Sequence, residues 1–229
     1  MRYVASDIHG NYDLFVKLLK KIHFSKNDTF FIIGDVIDKG NQVSELLNLL
    51  LNKLCNNVVI LLGNHELEFN NFVKSLINSD ADDETILAEC KKYLNVQTIS
   101  FEEIEYFKNL QAYYEDENFI LAHAGVPCDQ NGKLLNLSDA TVEQLVYDRS
   151  FKNKDFIPKN SKCVIFGHTP TIYIDGQKSK ILKYQKPNTI GNKASDFYKI
   201  HIDTGNYLTG ILGCLRLDDM QEFYVSKFD

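Results

Sequence analysis

Residues 29–40 read TFFIIGDVIDKG, and this stretch points to the class of fold. Its first five residues are apolar or β-branched, which is typical of a strand that is buried on both faces. The run then passes directly into a glycine and the two carboxylates Asp35 and Asp38. In α/β sheets, ligands bind beyond the carboxyl ends of the strands. The stretch therefore predicts a buried strand that delivers polar side chains to a binding site.

Four further strand-like runs end in the same way, in a glycine-bearing turn that carries Asp, Asn or His. These turns read DIHG at 7–10, GNHE at 63–66, HAG at 123–125 and GHTP at 167–170. Glycines at such positions let backbone and ligand approach closely. Each turn alone is weak evidence, because a lone Asp-Gly or Asn usually only marks a turn. Five of them in one chain predict a single shared site.

Between these turns, strand-like runs alternate with helical patterns, which indicates an α/β organisation. The first helical pattern follows Asn11, which we expect to cap it. From about 66 to 110 the pattern is helical, with an acidic connection at 80–84 that is typical of a solvated loop. We expect a single domain over residues 1–229, with about 66–110 as a helical cap insertion.

Composition narrows the possible functions. Apolar residues make up 44% and charged residues 24% of the chain, as in ordinary globular proteins. No run of 18 apolar residues is present, so we expect no membrane partner. The net charge of −6 argues against nucleic-acid binding. Five scattered cysteines without a C-x-x-C pair, and no secretory leader at the start, predict reduced thiols and a cytoplasmic setting.

The polar residues in the turns have the chemistry of metal ligands. Asp7 and His9 are two residues apart, so in an extended segment both would reach one ion. Imidazole, carboxylate and one carboxamide, without thiolate, suit Mn, Fe or Zn better than Ca or a structural zinc. Two ions about 3.5–4 Å apart can hold a phosphoryl group and acidify a bridging water. The sequence therefore predicts a two-metal phosphoesterase, with two divalent ions as cofactors and Mn²⁺ preferred.

The motifs resemble those of the calcineurin-like metallophosphoesterases, and among these the bacterial and phage phosphoprotein phosphatase family. That family has Gly-Asp-x-His-Gly, Gly-Asp-x-x-Asp-Arg-Gly, Gly-Asn-His-Glu and Gly-His-Thr-Pro motifs, and the resemblance spans residues 5 to about 210. It implies an α/β fold of two packed mixed β-sheets flanked by helices. It also implies these metal ligands: Asp7 and His9 at one ion, Asp35 between the ions, and Asn64, His123 and His168 at the other.

The same resemblance implies further roles. His65 would protonate the leaving group, with Asp38 as its charge partner and the two as the catalytic pair. Arg149 would clamp the substrate phosphate, because a guanidinium binds phosphate through two parallel donors. Lys39 stands where the family has the arginine of Asp-Arg-Gly, so it would bind phosphate as a point charge. A second family arginine, before Gly-Asn-His, is replaced by Leu62.

Leu62 leaves the substrate open. The leading hypothesis is a protein phosphatase that removes phosphate from Ser, Thr or Tyr side chains of phosphoproteins. The alternative is a hydrolase of dinucleoside polyphosphates or other nucleotides, because diadenosine tetraphosphate hydrolases also read Leu-Gly-Asn-His. They usually continue with Asp, however, whereas this chain continues with Glu66, as protein phosphatases do. A non-catalytic binding protein would require the loss of a ligand or of the acid, and all are present.

Four other residues have weaker claims to a role at the site. His201 and Asp203 form a ligand-like pair, but the ligand set is already complete without them, so we expect a supporting role. Cys128 follows the HAG turn, and we expect an inert thiol. Tyr207, in a Gly-Asn-Tyr segment, resembles an Asn-Tyr segment that lies near the active site in eukaryotic members of the family. We expect its side chain to pack against its neighbours.

Overall fold

The computed structural model describes residues 1–54, 56–153, 156–158, 162–176 and 179–229. Ten strands are found in these ranges: β1 Arg2–Ala5, β2 Thr29–Ile33, β3 Val58–Leu61, β4 Tyr113–Glu115, β5 Phe119–Ala122, β6 Cys163–Phe166, β7 Leu182–Gln185, β8 Phe197–His201, β9 Ile211–Arg216 and β10 Gln221–Ser226. The α-helices are α1 Tyr12–Lys21, α2 Val43–Leu47, α3 Asn64–Asn78, α4 Asp83–Leu94, α5 Phe101–Lys108, α6 Val142–Tyr147, α7 Ile172–Asp175 and α8 Asn206–Thr209. Helix α2 continues as a π-helix over Asn48–Lys53.

The strands form two five-stranded sheets. The first has the order β10-β9-β1-β2-β3 and the second β4-β5-β6-β8-β7. In the first sheet β1, β2 and β3 are parallel to one another. Strand β9 pairs antiparallel with β1, and β10 pairs antiparallel with β9. In the second sheet β5, β6 and β8 are parallel, and β4 and β7 run antiparallel at its edges. The predicted α/β fold of two mixed sheets flanked by helices is confirmed.

Strand β2 shows why its whole run is apolar. Phe31 and Ile33 point into the core between the two sheets, where they pack with residues such as Ile165 of β6. Phe30 and Ile32 alternate to the opposite face, which the helices α1 to α5 cover. Both faces of the strand are therefore buried. The outer face of the second sheet is covered by α6.

The segment predicted as a cap consists of α3, α4 and α5. Phe69, Cys90 and Phe107 are buried and belong to the same core as the outer face of the first sheet. In the acidic connection, the Asp82 carboxylate accepts the Thr85 N–H (2.8 Å) and so caps α4. The three helices thus pack onto the first sheet. No helix in the described ranges is long and apolar enough to cross a membrane.

Asn11 stands at the start of α1, but its side chain does not cap the helix. Its amide nitrogen donates instead to the Ile8 carbonyl (3.1 Å) and to Asn206 Oδ1 (2.6 Å). Asn206 in turn donates to the Asp7 carbonyl oxygen. Asn11 is thus at the N-cap position, as expected, but its side chain makes no capping bond because it braces the loop after β1.

Candidate active site

The backbone at the strand ends is left-handed at six candidate site residues. Their φ angles are +54° at Asp7, +50° at His9, +56° at Asp35, +70° at Asp38, +59° at Lys39 and +69° at His168. Non-glycine residues seldom adopt this region, and clusters of them mark functional sites. The extended arrangement expected for Asp7 and His9 is wrong. Each strand instead turns sharply as it ends, which aims consecutive polar groups at one place.

Backbone hydrogen bonds hold these turns side by side. The Asp7 N–H donates to the Gly34 carbonyl (3.1 Å), and the His9 N–H donates to the Asp35 carbonyl (2.9 Å). Across the two sheets, the His168 N–H donates to Asp7 Oδ2 (3.0 Å). The turns of both sheets therefore meet at one seam.

Gly34 shows how closely the turns approach each other. Its φ is +69°, and a Cβ at this position would collide with the Gly63 backbone and with His123 Nδ1. A side chain here would force apart the turns that carry the polar groups. Glycine is required at residue 34 for steric as well as conformational reasons.

Asp35 lies at the centre of the predicted ligands. Its Oδ1 is 3.4 Å from His123 Nε2, whereas its Oδ2 is 3.6 Å from His9 Nε2 and 3.8 Å from His65 Nε2. Two groups with metal-ligand spacing therefore share this carboxylate, one with His9 and His65 and the other with His123 and His168. Each carboxylate oxygen faces a different group, as a bridging ligand requires.

The second group brings nitrogen and oxygen atoms together around His123 Nε2. His123 Nδ1 lies 2.8 Å from the Ile33 carbonyl and so carries a proton, and the other ring nitrogen, Nε2, points into the group. That Nε2 faces Asn64 Oδ1 (3.1 Å) and Asp35 Oδ1 (3.4 Å). His168 Nδ1 lies 3.2 Å from the same atom, so these groups converge on a place that either a proton on the His123 ring or a metal ion can occupy. His168 Nε2 is also buried, and no group in the described ranges bonds to it.

The pKa values report the same need for positive charge. Burial lowers the pKa of His123, but the adjacent Asp35 carboxylate outweighs burial and raises it to about 10. Burial raises the pKa of Asp35, but the surrounding histidines, His123 foremost, pull it far below its usual range. Burial lowers the pKa of His168, and the neighbours His123 and Arg149 lower it further, to about 3. The ring is therefore neutral, as a histidine that binds a metal must be. The residues fit divalent ions by geometry and by charge.

The six predicted ligands do not all lie in these two groups. Asn64 adjoins the second through its carboxamide oxygen, as noted, but Asp7 lies outside both. Asp7 is nevertheless buried close to the site, and its negative charge acts to raise the pKa of both His9 and His123. His65, predicted as the acid, stands within the first group. The assignment of ligand roles among these residues stays a prediction.

His65 and Asp38 lie at the mouth of the site. His65 Nδ1 is 2.8 Å from Asp38 Oδ2, and the His65 side chain is 16% exposed. Asp38 is half exposed, so water screens part of its charge. The contact fixes the ring so that Nε2 faces the shared Asp35 carboxylate. This is the geometry of an imidazole that is oriented to transfer a proton.

The two predicted phosphate-binding cations lie on the exposed side of the site. Lys39 Nζ is 2.9 Å from His9 Nε2. Arg149 Nη1 donates to Thr169 Oγ1 (3.0 Å), in the turn that carries His168. Motif reasoning passed over this contact of Thr169, although the residue belongs to the GHTP turn. Both cations border one cavity of about 280 Å³ together with Asp7, His9 and His168.

Glu66 has a part that the sequence used only as a family marker. Its Oε2 accepts the N–H groups of Asp35 (2.8 Å) and Gly63 (3.0 Å), and its Oε1 accepts those of Val36 (2.8 Å) and Ile37 (3.1 Å). The side chain is fully buried. Burial raises the pKa of the Glu66 carboxyl, and the Asp35 carboxylate raises it further. One carboxylate thus ties the turns after β2 and β3 together.

The weaker candidates have distinct surroundings. The His201 ring stacks on Phe166 with 4.4 Å between centroids, and Asp203 Oδ1 accepts the Gly205 N–H (2.7 Å). Asp203 and Tyr207 both line the 280 Å³ cavity. Burial raises the pKa of the Cys128 thiol to about 11, which favours the unreactive form. The cysteines in the described ranges are free thiols, and Cys55 lies outside those ranges.

Comparison with known proteins agrees with this geometry. A family model described as calcineurin-like phosphoesterase matches residues 3–199. Among curated relatives, a symmetrical bis(5'-nucleosyl)-tetraphosphatase of Vibrio vulnificus is 26% identical over 151 residues, which are 66% of this chain and 54% of that protein. One of the same name from Haemophilus influenzae is 27% identical over 153 residues, covering 65% and 53%. The chain thus spans about half the length of these relatives.

Solved structures show the same fold. A protein described as a candidate diadenosine tetraphosphatase superimposes with a TM-score of 0.71 at 18% identity, over 98% of this chain and 92% of that one. A serine/threonine phosphatase from Saccharomyces cerevisiae superimposes with a TM-score of 0.55 at 16% identity, over 98% and 78%. The family match covers most of the chain, and the described residues carry the turns that make up the site. The chain belongs to the calcineurin-like phosphoesterase family.

Proposed function

We propose that this chain hydrolyses dinucleoside polyphosphates. The proposal rests on its similarity to proteins named symmetrical bis(5'-nucleosyl)-tetraphosphatases. Leu62 supports the proposal. It takes the place of the arginine before Gly-Asn-His, and its side chain is buried in the core under α6, so this position brings no cation to the substrate. This reverses the order of the two hypotheses that the sequence offered. A small phosphorylated molecule is thus the proposed partner.

Two divalent ions, Mn²⁺ by preference, are the proposed cofactors. Asp35, His9, His123 and His168, with Asp7 and Asn64 beside them, would hold these ions. Bound divalent ions neutralise phosphate charge and lower the pKa of water. Nitrogen and oxygen donors without thiolate suit Mn²⁺, and Fe or Zn remain compatible with the same set.

The chain's own residues would act on the rest of the reaction. The water oxygen gives up a proton to solvent and forms a new bond to phosphorus. The bond between phosphorus and the bridging oxygen breaks, and its electron pair leaves with the departing nucleotide. His65 Nε2 would give its proton to that oxygen, while Asp38 holds the ring by Nδ1. Lys39 and Arg149 would bind the non-bridging phosphate oxygens. Symmetrical cleavage of diadenosine tetraphosphate yields two molecules of ADP.

The test is a substrate panel with purified protein and Mn²⁺. Diadenosine tetraphosphate, a phosphoserine peptide and p-nitrophenyl phosphate are compared, and nucleotide products are separated by chromatography. We expect turnover of diadenosine tetraphosphate with ADP as the product. Turnover of the peptide alone would overturn the proposal, and ATP with AMP would overturn symmetrical cleavage.

A protein phosphatase is the second candidate, and Glu66 favours it. The resemblance places Glu after Asn-His in protein phosphatases, and here that carboxylate accepts four backbone N–H groups. The same panel decides between the two, because efficient turnover of the phosphoserine peptide would restore this hypothesis.

In either case the α3–α5 segment would act as a cap that shapes access to the site.

A further inference from the structure

A second cavity adjoins the candidate active site. It has a volume of about 560 Å³, and Arg149, Lys152, Phe156 and Tyr173 are among the residues that line it. Arg149 and Tyr173 also line the 280 Å³ cavity that contains the predicted metal ligands. The two cavities therefore adjoin each other at Arg149 and Tyr173.

The first cavity is too small for a dinucleotide. Pockets for drug-sized ligands have volumes of about 300–1,000 Å³, and a dinucleoside tetraphosphate is larger than a single nucleotide. A substrate with its reacting phosphate at the metal ligands must therefore extend beyond the 280 Å³ cavity. The second cavity offers the adjoining volume.

The lining of the second cavity has the chemistry that binds a nucleotide. Arg149 and Lys152 supply two positive charges, and no described residue of the lining is acidic, although the chain carries a net charge of −6. Tyr173 is 67% exposed, so one face of its ring is available for stacking. Cations that contact phosphates, combined with an aromatic ring that stacks on a base, recognise nucleotides without regard to base identity.

The residues of this cavity are held in place by the fold. Lys199 of β8 is buried and donates to the carbonyls of Phe151 (3.0 Å) and Asn153 (2.7 Å), which flank Lys152. The Tyr173 N–H donates to the Pro170 carbonyl (2.9 Å), which fixes the tyrosine just after the GHTP turn. A site with an anchored backbone needs little ordering when its ligand binds.

We infer that the second cavity is the subsite for the distal nucleotide of a dinucleoside polyphosphate. Arg149 and Lys152 bind the phosphates that continue from the reacting centre, and Tyr173 stacks on the distal base. The inference rests on the proposed function and adds where the second half of the substrate lies. It distinguishes such a substrate from a phosphomonoester, which has no group to place there.

The test compares Tyr173→Ala, Tyr173→Phe and Lys152→Ala with the unmodified enzyme, on diadenosine tetraphosphate and on p-nitrophenyl phosphate. Tyr173→Ala should raise KM for the dinucleotide about tenfold with kcat unchanged, because a stacked base contributes about one such factor. Lys152→Ala should raise it about threefold. Tyr173→Phe keeps the ring, so its KM for the dinucleotide should stay within about twofold of that of the unmodified enzyme. The same is expected of Lys74→Ala, which replaces an exposed lysine on α3. Lys152→Ala and Lys74→Ala should leave KM for p-nitrophenyl phosphate unchanged, because neither residue lines the 280 Å³ cavity. Tyr173 does line it, so Tyr173→Ala should change that KM, but by far less than the roughly tenfold rise expected for the dinucleotide.

The outcomes separate the two proposals. If the unmodified enzyme does not cleave diadenosine tetraphosphate, the proposed function fails and the subsite with it. If it does, and Tyr173→Ala and Lys152→Ala leave KM for the dinucleotide unchanged, the subsite alone is overturned. Equal losses on both substrates would also overturn it, because they would mean that these residues support the reacting centre. A loss in Tyr173→Phe as large as in Tyr173→Ala would overturn stacking by the ring.

Discussion

At the scale of single residues, His65 has two possible roles, since it lies near the Asp35 carboxylate and also contacts Asp38. As the acid, it matters most when the leaving group is basic, because a serine alkoxide needs a proton and p-nitrophenolate does not. His65→Asn should lower kcat about 100-fold or more on a phosphoserine peptide or an alkyl phosphate, and far less on p-nitrophenyl phosphate. Steady-state kinetics across these leaving groups checks this.

Metal analysis of the same variant supplies the control. Asn at residue 65 should leave the content of bound metal unchanged if His65 only transfers a proton. Loss of one equivalent of metal would assign His65 as a ligand, as its place beside His9 and Asp35 allows.

Glu66 carries a stability prediction. Glu66→Gln keeps the shape but turns an acceptor oxygen into an NH₂ group that faces backbone N–H donors. Hydrogen bonds to a charged group contribute about 1.5–3 kcal/mol each, and burial keeps water from replacing them. We expect the free energy of unfolding in urea to fall by about 3 kcal/mol. A loss below 1 kcal/mol would show that the turns after β2 and β3 hold together without this carboxylate.

His201 carries a prediction about pH. Burial lowers its pKa to about 3, whereas a histidine in the unfolded chain titrates near 6.5. The unfolded state therefore takes up a proton first, so this contribution to stability is complete above pH 6.5 and is lost as the pH falls towards 3. Between pH 7 and 5 the loss is about 2 kcal/mol.

Urea unfolding at both pH values tests this, because His201→Leu should remove that part of the slope. His23→Asn, at an exposed histidine, serves as the matched control. Equal slopes in His201→Leu and the unmodified protein would contradict the assignment.

At the scale of secondary-structure elements, the turns that end strands could be predicted because glycine and polar residues interrupt apolar runs. The run 29–33 predicts a doubly buried strand, and β2 is one. Its partners could not be predicted, since pairing of β1 with β9 joins residues more than 200 positions apart. The left-handed turns at Asp7 and His9 were also missed, because these residue types seldom adopt that conformation.

Long-range contacts set the roles that the sequence left open. Asn11 follows the rule for a helix cap, but a tertiary contact with Asn206 takes its side chain. From the sequence alone, Glu66 would be placed in the first turn of a helix. Only the folded chain brings its carboxylate to the N–H groups of residues 35–37. Local patterns therefore predict which residues gather at the site, and the surrounding packing decides what each one contacts.

The segment that follows α6 depends on one buried lysine. Lys199 lies over the rings of Tyr184 (4.8 Å), Phe156 (5.3 Å) and Phe151 (5.4 Å) while it donates to two carbonyls of the segment that follows Arg149. Lys199→Met should lower the free energy of unfolding by about 3 kcal/mol, because buried carbonyls lose their donor. It should also raise KM for p-nitrophenyl phosphate several-fold as Arg149 loses its support.

Urea unfolding and steady-state kinetics check both effects, with exposed Lys74→Met as the control. A loss of stability with KM unchanged would show that Lys199 supports the core without positioning Arg149.

At the scale of the whole molecule, the candidate ligands come from both sheets. Asp35 and Asn64 follow strands of the first sheet, while His123 and His168 follow strands of the second. An ion bound among them would join the sheets at their seam. Binding to the folded state alone adds about 2.7 kcal/mol of stability when the free metal is at 100 times its Kd.

Metal binding should therefore be visible in thermal unfolding. Mn²⁺ at that excess should raise the Tm by about 5–10 °C over chelator-treated protein, because 1 kcal/mol moves the Tm of a chain this size by about 2–4 °C. His168→Asn is the informative variant. The His168 Nε2 atom has no partner in the described ranges, and asparagine tolerates the left-handed backbone found there. Its Tm without metal should stay near that of the unmodified protein, while the shift with Mn²⁺ shrinks. A full Mn²⁺ shift in His168→Asn would place the ion elsewhere, and a Tm lowered equally with and without metal would make His168 a structural residue.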